Sequence, residues 1–455
     1  MNKEFEIRRI ALETLLEKDR QSVPSHVLIK AVLDKYDYLS NFEKSIIGTL
    51  IKGVIERKIE LDYIINLYSK TKTSKMKPVI RTILEMGVYQ ILYMEVYDTA
   101  AVDLSVMLAK KKGFTGLSGF VNGVLRTIVR NKDTIAIEET KDAKYLHVKY
   151  SIPEDVVELL INQYPFETVE TILKASLDSK GLHLRFKENL SKERIEEIKD
   201  ELLKRGCQIS DIEGFDNMIK ISKTGRLSEI PAFNKGEITI QDASSVLMCK
   251  NVPFGKNILD ACAAPGGKSA FIAERFPDSK ITACDISVDK LLTMADNFNR
   301  LKLKNIKTEK QDATEFREEW AEAFDVVVAD VPCSGLGVIG KKQDIKYRLS
   351  KEGIESLLLL QEQILNNVSK YVKKGGYLCY STCTINKEEN IERINSFLSK
   401  EDYVFDELTF VPDNLKEYAN KGNIQLLQGI NDTDGFFIAV LKKNGNVMNF
   451  NAFML

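Results

Sequence analysis

The segment "LDACAAPGGKSAFIAERF", residues 259–276, indicates how the C-terminal half of the chain folds. An apolar strand runs into a glycine turn, and a helix follows directly. Gly266 and Gly267 let the backbone approach a ligand closely, and a helix N-terminus favours electronegative groups. The segment is not a P-loop, because Cys262 stands where that motif requires its first glycine, and it lacks the G-x-G-x-x-G spacing. It predicts a nucleoside-binding turn on an α/β sheet.

Strand-like and helical segments alternate from about residue 240, which predicts a doubly wound, mainly parallel sheet. The strand-like segments are "NILDACA" (257–263), "KITACDIS" (280–287), "NIKTEKQDA" (305–313), "FDVVVADVPC" (324–333) and "GYLCYSTCT" (376–384). "GFFIAVLKKN" (435–444) predicts a terminal edge strand. "GIESLLLLQEQILNNVSKYVKKGG" (353–376) predicts a helix that ends at Lys373, Lys374 and a glycine pair.

Two acidic residues follow the second and third strands of this predicted sheet. Asp285 stands 18 positions after Gly267, where a carboxylate can accept hydrogen bonds from ribose hydroxyls. Asp312 can orient an adenine, or it can simply cap the next helix. Together with the glycine turn, these positions predict a cofactor cleft at the carboxyl ends of the strands.

The last two parallel strands each end in a cysteine. Asp330 closes the buried run "VVVA", where a carboxylate is costly without a partner or a function, and Cys333 follows it. Cys383 follows the next strand; taken by itself it would be interpreted as a small packed residue. Consecutive parallel strands joined by a helix are usually neighbours, so both thiols and Asp330 are expected in one cleft.

Residues 1 to about 130 show helical spacing of apolar residues without strand alternation. A basic set in this region can form a phosphate-binding surface, although any single lysine can equally belong to a solvated helix face. The set comprises Lys70, Lys72, Lys75, Lys77, Arg81, Lys110, Lys111, Lys112, Arg126 and Arg130. After a polar linker, residues 145 to 240 predict a small mixed α/β unit whose sheet can face RNA.

Composition narrows the possible functions. The 455 residues predict about three domains, and a net charge of −1 means that a polyanion must meet local basic patches. The N-terminus has no signal-peptide core and no apolar run can span a bilayer, so we expect a cytoplasmic protein without a membrane partner.

Seven cysteines without a C-x-x-C pair argue against disulfides and structural metal. The three histidines all precede residue 184, which excludes Ser-His-Asp and Cys-His catalysis from the C-terminal half.

The chain resembles RNA cytosine-C5 methyltransferases of the ribosomal RNA small-subunit methyltransferase B type, also called the Sun/Nop2 family. The matching motifs are "QDASS", "DACAAPGGKS", "CDIS", "QDAT", "DVPCSGLGV" and "STCTINKEEN", while "AVDLSVMLAKKKGFTGLSGFVNGVLR" resembles a NusB-type RNA-binding domain. The resemblance implies an all-α NusB-like domain (1–135), a small α+β, RRM-like subdomain (145–240) and a Rossmann-like class I methyltransferase domain (241–445). It also implies S-adenosylmethionine as cofactor and cytosine 967 of 16S ribosomal RNA as target, met before the subunit is fully assembled.

The resemblance further implies the role of each site residue. Cys383 is the nucleophile that adds to carbon 6 of cytosine, Cys333 assists release, and Asp330 hydrogen-bonds the base. The cofactor is held by Cys262, Ala263, Ala264, Pro265, Gly266, Gly267, Lys268, Asp285, Asp312 and Asp330. Lys268 either favours the thiolate, or it only shapes the cofactor loop or forms a structural ion pair, and these alternatives stay open.

Three other functions compete with this prediction. The same chemistry can act on transfer RNA or another ribosomal site, and a non-catalytic RNA-binding assembly factor can share the fold. A dehydrogenase is disfavoured by the glycine spacing and the absent histidine. We expect a monomer without bound metal.

Overall fold

The computed structural model describes residues 3–21, 23–178, 181–223, 225 and 227–445. Contact density divides the chain into two compact units. The first comprises Met1–Leu177 and Ile339–Leu349, and the second comprises Asp178–Val338 and Ser350–Leu455. The domain boundaries expected at residues 135, 145 and 241 stay predictions.

The first unit is helical. Its helices are α1 (Lys3–Arg20), α2 (Ser25–Lys35), α3 (Asn41–Glu56), α4 (Lys58–Tyr68), α5 (Pro78–Tyr93), α6 (Asp98–Lys111), α7 (Ser118–Asn131), α8 (Ala143–Lys149), α9 (Glu154–Ile161) and α10 (Phe166–Leu177). α5 lies in the middle of an apolar core, with Ile83, Leu84 and Val88 fully buried. Local signals fix the helix ends; Ser40 and Glu43, for example, form a capping box at α3.

The segment 339–349 packs within this first unit although it comes from the C-terminal half of the chain. Lys346 is buried and its Nζ donates to the backbone oxygen of Glu56 over 2.7 Å. The carboxylate of Asp344 accepts from the backbone N–H and the hydroxyl of Ser25. The first unit is therefore not one continuous stretch of chain.

The second unit begins with a four-stranded antiparallel sheet. Its elements are β1 (Leu182–Phe186), α11 (Lys192–Lys204), β2 (Gln208–Asp211), β3 (Met218–Ser222), α12 (Pro231–Asn234) and β4 (Ile238–Ile240). The strand order is β2-β3-β1-β4, so β1 lies inside the sheet. Leu184, Phe186, Ile198 and Ile219 are fully buried between the sheet and α11. The segments "GLHLRF" (181–186) and "NMIKISK" (217–223) contain β1 and β3.

The larger sheet has nine strands in the described part of the chain, in the order β11-β12-β13-β9-β8-β5-β6-β7, and β10 pairs with β13. The strands are β5 (Asn257–Asp260), β6 (Lys280–Asp285), β7 (Ile306–Lys310), β8 (Phe324–Asp330), β9 (Val372–Thr382), β10 (Tyr403–Phe405), β11 (Ala419–Asn420), β12 (Asn423–Leu426) and β13 (Phe436–Lys443). The helices are α13 (Ala243–Lys250), α14 (Gly267–Arg275), α15 (Val288–Arg300), α16 (Lys351–Val368) and α17 (Ile391–Leu398). Strands β5 to β9 pair in parallel, which confirms the Rossmann-like prediction.

Two details of the prediction were wrong. β13 is not an edge strand, because it pairs antiparallel with β9 on one side and with β12 and β10 on the other. α16 does not continue to Lys373, because it ends at Val368 and the chain enters β9 at Val372. Strand pairing decides both cases, and pairing partners are distant in sequence.

None of the helices in the described ranges combines the length and low polarity that crossing a bilayer requires. Over the same residues, no cluster of three or more His, Cys, Asp or Glu side chains could hold a metal ion.

Candidate active site

The glycine turn connects β5 to α14 and leaves space above the start of the helix. Gly266 has a φ of +93°, and a Cβ there would lie 3.0 Å from Met294 and 3.1 Å from Phe298. Only glycine fits this conformation without strain. A Cβ at Gly267, the first residue of α14, would meet nothing within 4 Å. The first turn of the helix therefore faces a space in which a ligand fits.

The four residues before Gly266 form the rest of the turn. The N–H of Ala263 donates to the backbone oxygen of Cys284 over 2.7 Å, which fixes the turn against β6. The peptide bond between Ala264 and Pro265 is cis. Burial raises the pKa of Cys262 well above its usual value, so this thiol stays neutral.

Asp260 belongs to this site although the sequence analysis did not select it. It ends β5 and is only 1% exposed. Ser269 donates to its Oδ2, while Oδ1 has no hydrogen-bond partner among the described residues. Burial, opposed by Ser269 and reinforced by the charge of Asp330, raises the pKa of Asp260 to about 6. An acid at a strand end, as at Asp285, was the signal that could have identified it.

Asp285 and Asp312 lie at the carboxyl ends of β6 and β7. Asp285 accepts from the N–H of Ser287 over 2.9 Å and is buried. Asp312 accepts from the N–H and hydroxyl of Thr314 over 2.9 and 2.7 Å, so it caps a turn. Asp312 therefore caps a turn and not the next helix, which begins at Glu318, and a contact with an adenine stays a prediction.

The two predicted thiols lie side by side. β8 and β9 are parallel neighbours with Asp330 opposite Ser381, so Cys333 and Cys383 leave the sheet at the same edge. Their Sγ atoms are 3.4 Å apart, and both side chains are half-buried. This is close enough for one thiol to donate a hydrogen bond to the other.

The carboxylate of Asp330 is held from two sides. Lys268 Nζ lies 2.6 Å from Oδ2, and the hydroxyl of Ser381 donates to Oδ1 over 2.7 Å. Burial, the largest single effect, lowers the pKa of Lys268, but the charge and hydrogen bond of Asp330 together with nearby thiols outweigh it, and the net pKa is raised. The charge of Cys383 contributes in the same direction. Lys268 is thus both the ion-pair partner of Asp330 and a cation near Cys383.

Glu389 is a second residue that the sequence analysis missed. It is fully buried, and its carboxylate accepts from the N–H and hydroxyl of Ser334 over 2.8 and 2.5 Å. Asn386 and Gln361 donate to it over 3.1 and 2.9 Å. Ser334 follows Cys333, and its hydroxyl is 2.7 Å from that of Thr384, which follows Cys383. Glu389 therefore joins the two loops that carry the thiols.

The thiols differ in their surroundings. The hydrogen bond to Cys383 and burial raise the pKa of Cys333 well above its usual value, and the charges of Glu389 and Asp330 add to this. Cys383 is the thiol whose charge interacts with Lys268. A negative charge on the pair is therefore better placed on Cys383, with Cys333 as the hydrogen-bond donor.

The small sheet is anchored next to the glycine turn. Gln241 Nε2 donates to the backbone oxygen of Gly267 over 3.3 Å and its Oε1 accepts from Arg185 Nε over 2.8 Å. Arg185 is fully buried and pairs with Glu274 of α14 over 2.6 Å. Its guanidinium lies 4.1 Å from the ring centroid of Phe271. These contacts fix the helix whose first turn faces the ligand space.

The predicted basic set of the first unit is not uniform. Arg81 pairs with Asp62 and Glu85, and Lys112 pairs with Glu13, so these two side chains have structural roles. The other members are exposed, namely Lys70, Lys72, Lys75, Lys77, Lys110, Lys111, Arg126 and Arg130. Binding of phosphate by these residues stays a prediction.

Two parts of the chain match known families. Residues 247–442 match the family described as 16S rRNA methyltransferase RsmB/F, and residues 6–130 match the NusB family.

Similar proteins extend over nearly the whole chain. The probable ribosomal RNA small subunit methyltransferase B of Bacillus subtilis (strain 168) is 34% identical over 97% of this chain and 100% of its own length. The ribosomal RNA small subunit methyltransferase B of Escherichia coli (strain SMS-3-5 / SECEC) is 31% identical over the same shares. The crystal structure of PH0851 is 23% identical, covers 97% of this chain and 99% of its own, and superposes with a TM-score of 0.78. This last likeness concerns the fold.

Proposed function

Since the chain belongs to the ribosomal RNA small subunit methyltransferase B family, we propose that it methylates carbon 5 of a cytosine in 16S ribosomal RNA. The family acts on ribosomal RNA and depends on S-adenosylmethionine. The finer claims, namely a covalent adduct with Cys383 and cytosine 967 as the target, are part of the proposal.

The glycine turn fits the cofactor. When bound, S-adenosylmethionine supplies an electrophilic methyl group. The space above Gly267, the unpartnered Oδ1 of Asp260 and the buried Asp285 provide a cradle, polar contacts and an acceptor at one edge of the sheet. Residues 262–268, with Asp285, Asp312 and Asp330, would hold the cofactor there.

Cys383 activates the target base. Carbon 5 of cytosine is a poor nucleophile, and bonding of Sγ to carbon 6 moves an electron pair through the ring so that carbon 5 becomes electron-rich. Lys268 favours the thiolate form of Cys383. Asp330, held by Lys268 and Ser381, accepts hydrogen bonds from the amino edge of the ring and stabilises the adduct.

Cys333 completes the reaction by removing the proton of carbon 5. The hydrogen bond to Cys383 is the largest contribution to its raised pKa. Once Cys383 is bonded to carbon 6, that contribution is gone, and Cys333 loses its proton to solvent more readily. Once carbon 5 carries the methyl group, the resulting thiolate takes the carbon-5 proton. The electron pair of that C–H bond re-forms the ring double bond, the bond between carbon 6 and sulfur breaks, and Cys383 leaves as a thiolate.

The single observation that carries this proposal is the 3.4 Å separation of the two Sγ atoms at the carboxyl ends of adjacent parallel strands. Two thiols at that distance match a reaction that needs one nucleophile and one base.

The test is methyl transfer from labelled S-adenosylmethionine to unmodified 16S ribosomal RNA, with the modified base mapped and transfer RNA as a parallel substrate. We expect Cys383→Ala to abolish transfer and Cys333→Ala to accumulate a protein–RNA adduct that survives denaturing electrophoresis. An adduct in Cys383→Ala but not in Cys333→Ala would reverse the two roles. Methylation of transfer RNA alone would refute 16S ribosomal RNA as the substrate.

A further inference from the structure

A cavity of about 330 Å³ opens on the first unit, between the first turn of α6 and the second half of α7. Its lining residues are Asp98, Thr99, Val102, Arg126, Val129 and Arg130. The volume is at the lower end of ligand cavities, roughly 300–1,000 Å³, and suits one small ligand or one residue of a polymer.

The two arginines give this cavity a positive rim. Arg126 Nε donates to Asn122 Oδ1 over 2.8 Å, and Arg130 donates to the backbone oxygen of Arg126 and to Thr127. Neither guanidinium forms an ion pair with a carboxylate in the described part of the chain. A guanidinium has five N–H donors, so several are left over for an anion.

The acidic residue of the cavity does not cancel this charge. Asp98 Oδ2 lies 2.8 Å from Lys132 Nζ, so its charge is neutralised locally. Val102 and Val129 supply an apolar wall between the polar groups. The cavity therefore combines an apolar wall with an excess of two positive charges.

An exposed aromatic ring stands beside the cavity in the chain. Tyr97 directly precedes Asp98 and is 86% exposed. Exposed aromatic rings stack unpaired bases in RNA-binding proteins.

We propose that this cavity binds one unstacked nucleotide of single-stranded RNA. Arg126 and Arg130 contact the phosphate, the base rests on Val102 and Val129, and Tyr97 stacks the neighbouring base. The polar edge of the base reaches Thr99 and Asp98. This inference rests on the proposed function for the identity of the RNA, but it assigns a contact site in the first unit that is separate from the thiols.

The test is direct binding of a 16S ribosomal RNA fragment to the full chain, measured without methyl transfer. We expect Arg126→Ala/Arg130→Ala to weaken binding roughly tenfold and to reduce its salt dependence. The matched control is Lys30→Ala/Lys35→Ala, which removes the same charge from two exposed lysines of α2 that lie outside the predicted basic set. This control should change the affinity less than twofold.

Two further measurements distinguish the contribution of the cavity's space to RNA binding from the contribution of its positive charge. Val129→Phe fills the space, keeps both arginines and should also weaken binding, with an unchanged melting temperature as proof of folding. RNA that carries 4-thiouridine should crosslink to residues 97–102 or 126–130. Equal losses in the arginine variant and its lysine control, or unchanged affinity in the arginine variant, would overturn the site. If the cavity binds a protein and not RNA, the arginine variant should bind the RNA fragment with unchanged affinity.

The two proposals fail in different ways. Absence of methyl transfer by the wild-type chain would count against the proposed function and leave the binding result intact. Normal transfer with an unchanged KM for RNA in the arginine variant would count against the cavity only.

Discussion

At the scale of single residues, Glu389 explains how two thiols from different loops stay in register. Cys333 and Cys383 are 50 positions apart, and both lie beyond the last paired residues of β8 and β9. The backbone hydrogen bonds between the two strands therefore do not hold the cysteines in place. The carboxylate of Glu389 accepts from groups on both loops and is fully buried, so it has little freedom to move. A buried carboxylate with this many donors is a strong anchor.

We predict that Glu389→Ala lowers kcat for methyl transfer by about 100-fold, because misplacement of a reacting group by about 1 Å has an effect of that size. KM for S-adenosylmethionine should change little, since Glu389 contacts none of the glycine-turn residues in the described structure. The neighbouring Glu388 is exposed, and Glu388→Ala is the matched control. Equal kinetics for the two variants would show that Glu389 does not position the thiols.

Among the helices and strands, the sequence predicted those features that depend on local patterns of residues. The strand, turn and helix at residues 257–275 follow from an apolar run, two glycines and helical spacing, and the structure has them there. The adjacent position of β8 and β9 in the sheet was predicted from the usual topology of parallel sheets. The interior place of β13 could not be predicted, because its partners β12 and β10 are four and three residues long.

The candidate site was predicted to a similar extent. Cys333, Cys383 and Asp330 stand at strand ends, so topology brings them together. Glu389 was missed because its donors come from Ser334, Gln361 and Asn386, whose meeting depends on tertiary packing. Glu389 belongs to the segment "NKEEN" (386–390), whose polar composition is typical of a solvent-exposed start of a helix.

The buried ion pair between Arg185 of β1 and Glu274 of α14 leads to a prediction about stability. Both side chains are nearly inaccessible, at 0% and 2% exposure, so neither charge can turn to water when its partner is removed. We predict that Arg185→Met and Glu274→Leu, each made alone, lower the free energy of unfolding by about 3–5 kcal/mol. Replacing both residues, Arg185→Met with Glu274→Leu, should cost much less.

Urea titrations of the two single variants and the double variant measure this coupling. The cycle should give an interaction of at least about 2 kcal/mol between the two positions. Additive effects would mean that the pair does not hold the small sheet to α14.

At the scale of the whole molecule, the chain of the second unit is interrupted by a segment of the first. Residues 339–349 follow the Cys333 loop directly and pack within the first unit, where Lys346 and Tyr347 contact Glu56 and Ser151. A deletion of the first 140 residues would remove the partner of Lys346. RNA affinity is therefore better tested by charge substitutions in the full chain than by truncation.

Lys346 gives the first unit a characteristic pH dependence. Burial lowers its pKa from 10.5 to about 7, and this effect outweighs the opposing charges of Glu56 and Glu60, while Arg57 adds to it. Between these two pH values the unfolded chain binds more protons at this lysine than the folded chain does. Stability therefore rises with pH across this window, by up to about 1.4 kcal/mol per pH unit for one group.

We predict that Lys346→Met removes this rise. At pH 7 the variant should be more stable than the wild type, because it buries no charge, and the difference should shrink as the pH approaches 9.5. Lys342, exposed in the same segment, provides the control variant Lys342→Met, whose stability should follow that of the wild type. Urea midpoints from pH 7 to 9.5 measure the effect. Parallel curves for Lys346→Met and the wild type would mean that the pKa of Lys346 does not differ between the folded and unfolded chain, and that the buried ammonium does not destabilise the unit.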